Sequence, residues 1–408
     1  MIDFGVSTER FIEEYYEKQF FVRKGALAHR PVTWKDINSA LFAWDPRDGL
    51  LQLFKDGPIP VEHYTETFVD LAMQRSKIVK DTFYELLQEG ATLVLNRLET
   101  KSEPVHDLAM EIARFVGEKA VANGYAAFGG RGTFAQHWDT HDVFAVQLIG
   151  RKRWRVFAPT FALPLPHQKS KEHKQECPAE PVFDGYLEAG DVLYIPRGWW
   201  HEAVPLASEE TFHIAVGIHP MLIRDYVAWS CFKTLPSDIA LRQSIKAERD
   251  NLDGLALAAQ AAEELLVSKT NLAEFKREVF SNERVVSRFA IETLGKPGAS
   301  GEPQGQFRLN SVYRTASPAS TNVYVNGQAI RMDAASQRHI ASLFSRPRAS
   351  LEEISKSPDQ REKTSALLQQ LADKDVISPV PDYRVAMRSI FQQQFKENSH
   401  QNPKYQEI

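Results

Sequence analysis

The segment between residues 125 and 220 most constrains the fold, because its short aromatic strands are closely bounded by glycine and proline. Such strands, separated by frequent turn residues, predict a β-sandwich or barrel. The predicted strands are YAAFGG, VFAVQLI, RWRVFAP, DVLYIP and FHIAVGI. One long insertion, roughly residues 161–183, interrupts them and contains HQKSKEHKQE, which is typical of an exposed, positively biased loop.

Helical periodicity flanks this barrel on both sides. Residues 8–18 and most of 33–118 have apolar residues three and four apart, as in FVDLAMQ and HDLAMEIARFVGEKAV. Short strands are predicted within them at residues 20–22 and at ATLVLNRL. Three further helices are predicted on the other side, at IRDYVAWSCF, ALAAQAAEELLV and AEFKREVFS.

The C-terminal part begins with a Gly/Pro/Ser-rich linker, GKPGASGEPQGQ, and continues as a small separate unit. A hairpin is predicted around Asn326-Gly327. It is followed by three helical segments and a strand, which together predict a winged-helix-like domain; these are ASQRHIASLF, SLEEISKS, REKTSALLQQLADK and VISPVP. The charges of the last long helix cancel, so we expect a scaffold or protein-contact module rather than direct DNA binding.

The predicted class is therefore α+β, a β-sandwich or barrel with flanking helices. Residues 1–220 would form the barrel domain with its N-terminal helices, and 221–296 a helical dimerisation region. Residues 297–408 would hold the linker, the winged-helix-like domain and a tail. Amphipathic helices beside a barrel must bury their apolar faces, so a homodimer is expected; packing within one subunit is the alternative.

Composition narrows the possible functions. The 408 residues carry a formal net charge of -4, which gives no global basic field for nucleic acid or anionic lipid. No apolar run reaches membrane-spanning length, and the N-terminus predicts a helix rather than a secretion signal. The only cysteines, Cys177 and Cys231, lie far apart without CxxC spacing, which fits a reducing cytoplasm. A cytoplasmic protein without a membrane contact is expected.

His137 and Asp139 form an HxD pair within TFAQHWDTHDVF. On a strand, both side chains would leave the same face, because strand side chains alternate. A facial Fe(II) site needs an imidazole, a carboxylate and a second histidine, and it leaves three positions open. A lone HxD is common by chance, and on that motif alone solvated surface residues are the better interpretation.

His201 is the predicted third ligand, because GDVLYIPRGWWHE places it just after a strand and a Pro-Arg-Gly turn. A histidine there is often only a satisfied polar group. The joint pattern outweighs that interpretation, since both motifs are flanked by tryptophan and aromatic walls around converging polar groups are typical of small-molecule sites. A structural zinc site is the weaker alternative, because its usual thiolates are missing.

A second strand, RKRWRVF, carries the predicted co-substrate anchor. Alternation puts Lys152 on the face of Trp154 and Val156, and three arginines on the other face; these are Arg151, Arg153 and Arg155. A buried, unpaired lysine is costly, and an anion such as the distal carboxylate of 2-oxoglutarate would satisfy it. In the alternative, Lys152 extends to solvent beside an exposed arginine face.

HWD, RKRWRVF and GDVLYIPRGWWHE together resemble the JmjC/cupin oxygenases. More narrowly, they resemble the ribosomal oxygenases, which include bacterial ribosomal-protein arginine hydroxylases and eukaryotic histidine hydroxylases. FIEEYYEKQFFVRKG resembles the family's N-terminal entry, and the order of barrel, helical dimerisation region and winged helix also matches. The resemblance is specific over residues 125–220 and loose elsewhere.

The resemblance implies that residues 1–220 are a catalytic domain built on a double-stranded β-helix, the cupin/JmjC barrel. It also implies Fe(II), with 2-oxoglutarate and O2 as co-substrates. It carries His137, Asp139 and His201 over as iron ligands and Lys152 as the carboxylate anchor. The bacterial arginine hydroxylases tend to have Arg at the Lys152 position, and the basic loop at 161–183 and the extra tail after Tyr383 are unlike the compact bacterial members. Further candidates for lining the site, each also explicable as an ordinary core or turn residue, are Thr133, His213, Gln147 and Trp199.

The expected function is hydroxylation of an amino-acid side chain in a ribosomal or translation-related protein. Hydroxylation of a small peptide or a metabolite is the second enzymatic interpretation. A non-catalytic cupin that binds partners is the alternative of another class. That alternative predicts a broken ligand set, whereas all three ligand residues are present in this sequence. His213 would lie near the iron only if its strand neighbours the strand before His201.

Overall fold

The structure is a computed structural model, and it describes most of the chain in eleven stretches. These are residues 2–29, 31–130, 134–248, 250–289, 305–314, 322–331, 341, 343–344, 346, 348–355 and 358–380. The chain divides into two compact units, Met1–Met221 and Leu222–Ile408. Within the described residues, no helix is both long enough and apolar enough to cross a membrane.

Thirteen strands build the described part of the first unit. They are β1 Phe21–Arg23, β2 Leu51–Phe54, β3 Pro58–Ile59, β4 Thr65–Asp70, β5 Met73–Ile78, β6 Thr92–Leu95, β7 Lys119–Ala127, β8 Asp142–Ile149, β9 Arg151–Phe157, β10 Phe183–Glu188, β11 Val192–Ile195, β12 Trp200–Pro205 and β13 Thr211–His219. A large sheet has the order β1-β11-β8-β13-β7-β6-β2-β3, and a small sheet has the order β10-β9-β12. The strands pair antiparallel in both sheets.

Side-chain alternation gives the large sheet two apolar faces. Ala145 of β8 and Leu193 of β11 pack in one cluster with Trp154 and Val156 of the small sheet, so this cluster lies between the two sheets. Phe144, the neighbour of Ala145, packs in the opposite cluster against the helices of the unit. The two sheets thus form the predicted JmjC/cupin-type barrel, with an inner face that can hold a site.

The helices of the first unit are α1 Thr8–Arg10, which continues as a π-helical turn Phe11–Tyr15, α2 Trp34–Phe42, α3 Lys80–Gln88 and α4 Glu103–Val116. A capping box between Thr33 and Asp36 begins α2. Gly117, at φ 84°, ends α4 in a left-handed cap and lets β7 start two residues later. The helix predicted across HDLAMEIARFVGEKAV is therefore correct only up to Val116.

The predicted helix at FVDLAMQ is wrong. Residues 65–78 form the two-stranded hairpin β4–β5, in which Asp70 pairs with Met73. Its turn consists of Leu71 and Ala72, both with positive φ, where glycine or asparagine is the usual signal. The apolar spacing of Phe68, Leu71 and Ala72 imitates a helix, and the missing turn residues concealed the hairpin.

The second unit contains the three predicted helices, now α5 Ile223–Lys233, α6 Leu252–Leu266 and α7 Lys269–Ser281. Its further elements are β14 Gln306–Leu309, β15 Asn322–Val325, β16 Gln328–Arg331, β17 Ala349–Ser350, α8 Leu351–Ile354, α9 Pro358–Asp373 and β18 Ile377–Val380. The order β17-β14-β18 makes a small sheet.

The Asn326-Gly327 hairpin is confirmed, because β15 and β16 pair on either side of these two residues and both have positive φ. The helices at SLEEISKS and REKTSALLQQLADK and the strand at VISPVP are also found as α8, α9 and β18. Most of the helix predicted at ASQRHIASLF, the boundary near residue 296 and the tail after Tyr383 lie outside the described residues.

Candidate metal centre

His137 and His201 lie side by side in an isolated antiparallel bridge. The His201 N–H donates to the His137 carbonyl at 2.8 Å, and the His137 N–H donates to the His201 carbonyl at 3.1 Å. Their rings are 4.4 Å apart between centroids. His201 is the second residue of β12, whereas the HxD segment is extended chain ahead of β8. Two motifs that are distant in sequence therefore meet through backbone hydrogen bonds.

Alternation holds within the HxD segment, as the sequence predicts. His137 and Asp139 turn toward His201, while Trp138 between them is buried in a cluster with Phe157 and Trp200. The indole Nε1 of Trp200 donates to Thr160 Oγ1 at 2.9 Å. The tryptophans that flank both motifs thus anchor the ligand segments from behind.

Backbone carbonyls orient both imidazoles. His137 Nδ1 lies 2.9 Å from the carbonyl oxygen of Ala135, and His201 Nδ1 lies 3.1 Å from that of Trp199. A carbonyl can only accept, so each Nδ1 carries the proton and each Nε2 is left as a lone-pair donor. Both Nε2 atoms face the carboxylate of Asp139.

The spacing of the ligand atoms fits a divalent ion. His201 Nε2 lies 3.5 Å from Asp139 Oδ2, and His137 Nε2 lies 4.0 Å from Oδ1. The three ligand atoms all lie within 4.8 Å of one another. Adjacent ligands about 2.1 Å from one ion would be about 3 Å apart, so small side-chain shifts bring all three into range. Two imidazoles and one carboxylate form the donor set of a facial Fe(II) site.

The protonation states also suit a cation. Burial and the nearby His137 lower the pKa of His201 to about 4, so its imidazole is neutral at physiological pH. Burial raises the pKa of Asp139, but His137, His201 and His141 outweigh it, and the pKa is lowered overall. The His201 side chain is 6% exposed, whereas those of His137 and Asp139 are each 31% exposed. One side of the site thus remains accessible to further ligands.

Lys152 points into the barrel, as the alternation of β9 predicts. It is 3% exposed, and burial lowers the pKa of its ammonium to about 8. Among the residues that the structure describes, none forms a hydrogen bond or ion pair with this ammonium. The interior therefore contains an uncompensated cation, whose cost an anionic ligand would relieve.

The other face of β9 is exposed and its charges are compensated. Arg151 forms two hydrogen bonds with Glu209 at 2.8 and 2.9 Å. Arg153 does the same with Asp184 at 2.6 and 2.7 Å, and Arg155 pairs with Glu202. The three arginines thus form a row of outward-facing ion pairs across the small sheet. The alternative interpretation of this stretch predicted such an exposed face for the arginines.

Trp154 connects the anchor to the ligand group, a role that the sequence did not indicate. Its ring centroid lies 6.4 Å from that of His201 and 5.2 Å from that of His213. Tyr125 stacks on His213 at 4.9 Å, and the charge of Asp139 helps to raise the pKa of the Tyr125 hydroxyl after burial. Inward alternation on β7 and β9 is the one signal that could have identified these residues.

His213 would lie near the metal only if its strand neighboured the strand before His201, and the two strands are not neighbours. Its strand β13 pairs with β7 and β8, whereas the strand before His201, β11, pairs with β8 and β1. His213 lies instead at the lysine end of the interior, where burial and the charge of Lys152 hold its pKa well below the ordinary value. Its Nδ1 is buried without a hydrogen-bond partner among the described atoms.

The remaining candidates for lining the site, Gln147, Trp199 and Thr133, lie in different parts of the chain. Gln147 is fully buried, and its amide donates to Thr211 Oγ1 at 2.7 Å and to the Ile149 carbonyl at 2.9 Å. Trp199 is half-buried and contacts Phe20, with ring centroids 5.6 Å apart. Thr133 lies outside the described residues.

The long insertion is less detached than its composition suggests. Most of residues 161–183 are exposed, in agreement with the prediction. Phe161, however, stacks on Trp138 at 5.4 Å, and His173 lies 5.9 Å from the same ring. The loop therefore covers the back of the HxD segment while its lysines remain at the surface.

Part of this barrel, with the site, matches a known family model. Residues 94–226 match the model described as the JmjC domain. A histidyl-hydroxylase and lysine-specific demethylase, NO66 of Dictyostelium discoideum, is 30% identical over 219 residues, or 53% of this chain. Ribosomal oxygenase 1 of Gallus gallus is 32% identical over 177 residues, or 43% of this chain. The chain spans 42% and 28% of the lengths of these two homologues.

Solved structures show the same fold. The ribosomal oxygenase YcfD of Escherichia coli superposes with a TM-score of 0.55 at 18% identity, covering 92% of this chain and 98% of YcfD. A structure of YcfD in complex with cobalt and 2-oxoglutarate has a TM-score of 0.56 at 17% identity, covering 92% and 99%. These structures show the JmjC/cupin-type fold, and the family-model match and the named relatives confirm the resemblance to ribosomal oxygenases.

Proposed function

We propose that this chain is an Fe(II)- and 2-oxoglutarate-dependent oxygenase that hydroxylates an amino-acid side chain. The observation that carries the proposal is the meeting of two imidazole Nε2 atoms and one carboxylate, with ligand atoms within 4.8 Å of one another. The homologues named as oxygenases and hydroxylases, and the cobalt and 2-oxoglutarate bound to YcfD, support it.

His137, Asp139 and His201 would hold the iron. The carbonyls of Ala135 and Trp199 keep both Nε2 atoms free of protons, so no proton has to leave before the metal binds. Bound iron would supply oxygen activation coupled to oxidation of 2-oxoglutarate. The task of the protein is then to orient the co-substrate and to exclude water.

Lys152 would bind the distal carboxylate of 2-oxoglutarate. Its ammonium is buried, which makes a carboxylate partner more valuable than it would be in water. Trp154, two residues along the same face, would form the wall between this carboxylate and the metal. His213 is a further candidate at the lysine end, and Thr133 remains a candidate from the sequence.

We infer a ribosomal or translation-related protein as the substrate, from the names of the relatives. Such a substrate goes together with the expected cytoplasmic location. Lys152 stands where the bacterial arginine hydroxylases tend to have Arg, so the hydroxylated residue is not carried over from that branch.

We also infer three domains, with boundaries at 1–220, 221–296 and 297–408, and a homodimer formed through the middle one. Helix α6 supports the dimer, because none of its side chains is buried although it carries several leucines. Leu252 is 68% exposed and Leu257 is 57% exposed. The hairpin β15–β16 beside α8, α9 and β18 supports a winged-helix-like scaffold at the C-terminus.

Anaerobic addition of Fe(II) and 2-oxoglutarate tests the proposal. The wild-type protein should develop the weak visible charge-transfer band of the chelated co-substrate and, in air, produce succinate. His137→Ala and His201→Ala should lose both signals, whereas the exposed His63→Ala serves as a matched control that keeps them. A wild-type protein without the band would refute the oxygenase assignment.

Substrate identity needs a separate measurement. Mass spectrometry of proteins from cells with and without the enzyme should reveal a peptide that gains one oxygen atom only when the enzyme is present. If no protein gains oxygen while purified enzyme still produces succinate, the polypeptide substrate is wrong and the oxygenase assignment stands.

A further inference from the structure

The buried carboxylate of Asp142 joins two segments that carry metal ligands. Asp142 is the first residue of β8 and is 2% exposed. Its Oδ1 accepts the backbone N–H of Arg197 at 2.9 Å, and its Oδ2 accepts the Tyr194 hydroxyl at 2.6 Å. Both carboxylate oxygens thus accept a hydrogen bond, Oδ1 from the turn between β11 and β12 and Oδ2 from β11.

The Arg197 turn leads directly to His201. Its next residue, Gly198, donates its N–H to the carbonyl of Asp139 at 3.0 Å. Two successive N–H groups of the turn are therefore bonded to the segment from Asp139 to Asp142. Since His201 follows the turn, its position against Asp139 depends on these two bonds.

A third segment closes the network. The Glu17 N–H donates to the Tyr194 hydroxyl oxygen at 3.0 Å, and the Glu17 carboxylate accepts from the Arg197 guanidinium at 2.5 Å. Tyr194 is fully buried and packs edge-on against Phe11 with ring centroids 5.0 Å apart. A closed network in such an interior is costly to break, because each freed polar group stays buried.

We propose that Asp142 is a positioning residue of the metal centre, whose carboxylate holds the turn before His201 in register with the Asp139 segment. In this way it sets the affinity of the site for its metal. The inference rests on the proposed metal-binding function of His137, Asp139 and His201. Asp142 acts through the backbone, so its loss leaves all three ligands in the chain.

An amide cannot replace this carboxylate. The Tyr194 hydroxyl already accepts the Glu17 N–H, so its own proton requires an acceptor at Asp142 Oδ2. The Arg197 N–H requires a second acceptor at Oδ1. Asparagine has one oxygen, and its NH2 group would face one of these two donors.

Calorimetric titration of the metal-free, full-length protein with Co(II), under anaerobic conditions and without 2-oxoglutarate, tests the proposal. Asp142→Asn should bind Co(II) about tenfold more weakly than the wild type, the range typical for groups that orient metal ligands. The matched control is Asp191→Asn. Asp191 is 4% exposed and accepts the N–H groups of Gly25 and Glu188 at 2.8 and 2.7 Å, outside the turn before His201. This control should lose stability and keep its Co(II) affinity.

The outcomes separate the two proposals. A wild-type protein that does not bind Co(II) would refute the metal site itself. Equal affinities of wild type and Asp142→Asn would overturn the positioning role and leave the site intact, and so would equal losses in both aspartate variants. If Asp142→Asn does not fold, Asp142→Glu decides, since it keeps a carboxylate but moves its oxygens away from the Arg197 N–H; an unchanged affinity there also overturns the proposal.

Discussion

Replacing Lys152 by methionine should make the metal-free protein more stable while removing its response to 2-oxoglutarate. Lys152 is 3% exposed, and the pKa of its ammonium falls from 10.5 to about 8 because of burial. Each pKa unit corresponds to about 1.4 kcal/mol. The fall in the pKa from 10.5 to about 8 therefore means that the buried charge costs about 3 kcal/mol near neutral pH. Methionine has a similar length and carries no charge, so Lys152→Met should recover most of this free energy.

The pH dependence of the free energy of unfolding is a second, independent indicator of the buried Lys152 charge. Below pH 8 both the folded and the unfolded chain hold the proton, and the full cost is present. Between pH 8 and 10.5 the folded state releases the proton that the unfolded state keeps, so the free energy of unfolding from this group rises with pH. Lys152→Met should lack that rise.

Urea unfolding of the metal-free protein measures the first effect, and urea unfolding of the Co(II)-loaded protein with and without 2-oxoglutarate measures the second. Ligand at a hundredfold excess over its dissociation constant should stabilise the wild type by about 2.7 kcal/mol and leave the variant unchanged. The exposed Lys77→Met is the control and should change stability by less than about 0.5 kcal/mol. A Lys152→Met protein that is less stable than the wild type, or that still responds to 2-oxoglutarate, would refute the reasoning.

Three further predictions concern the same fold. Gly198→Ala should lose about 3 kcal/mol in urea unfolding, because Gly198 has φ +83° and an added Cβ would meet the Phe161 carbonyl at 2.3 Å. Gly25→Ala, at φ +62° with open space around it, should lose only about 1 kcal/mol, and equal losses would contradict the close approach. The pKa of His213 lies well below its ordinary value because of burial and Lys152, so the protein should lose stability as pH falls below 6.5, at up to about 1.4 kcal/mol per pH unit for this group. His213→Leu should make the loss shallower, and an unchanged slope would show that His213 titrates normally. Leu255→Glu with Leu257→Glu on α6 should turn a dimer into a monomer by light scattering, whereas the exposed Gln260→Glu should not; a wild type that is already monomeric would remove the inferred interface.

Much of the inner barrel could be predicted from the sequence, because strand alternation is a local rule. Lys152 and Trp154 had to share a face, and only the inner face could be apolar. The Asn326-Gly327 hairpin followed for a similar reason, since its turn requires positive φ at both residues. The hairpin at residues 65–78 escaped, because Leu71 and Ala72 adopt the same conformation without being residues that favour it.

Only the tertiary structure decided how the ligands meet. The sequence supplied two histidines and a carboxylate at the ends of strands. The bridge between His137 and His201, the carbonyls that turn both Nε2 atoms inward and the Asp142 network arise from backbone segments far apart in the chain. Hydrogen bonds between distant segments have no periodic signature, since they depend on sheet order and on the conformation of a turn. Local pattern thus determined which residues enter the barrel, and tertiary contacts determined which atoms face one another.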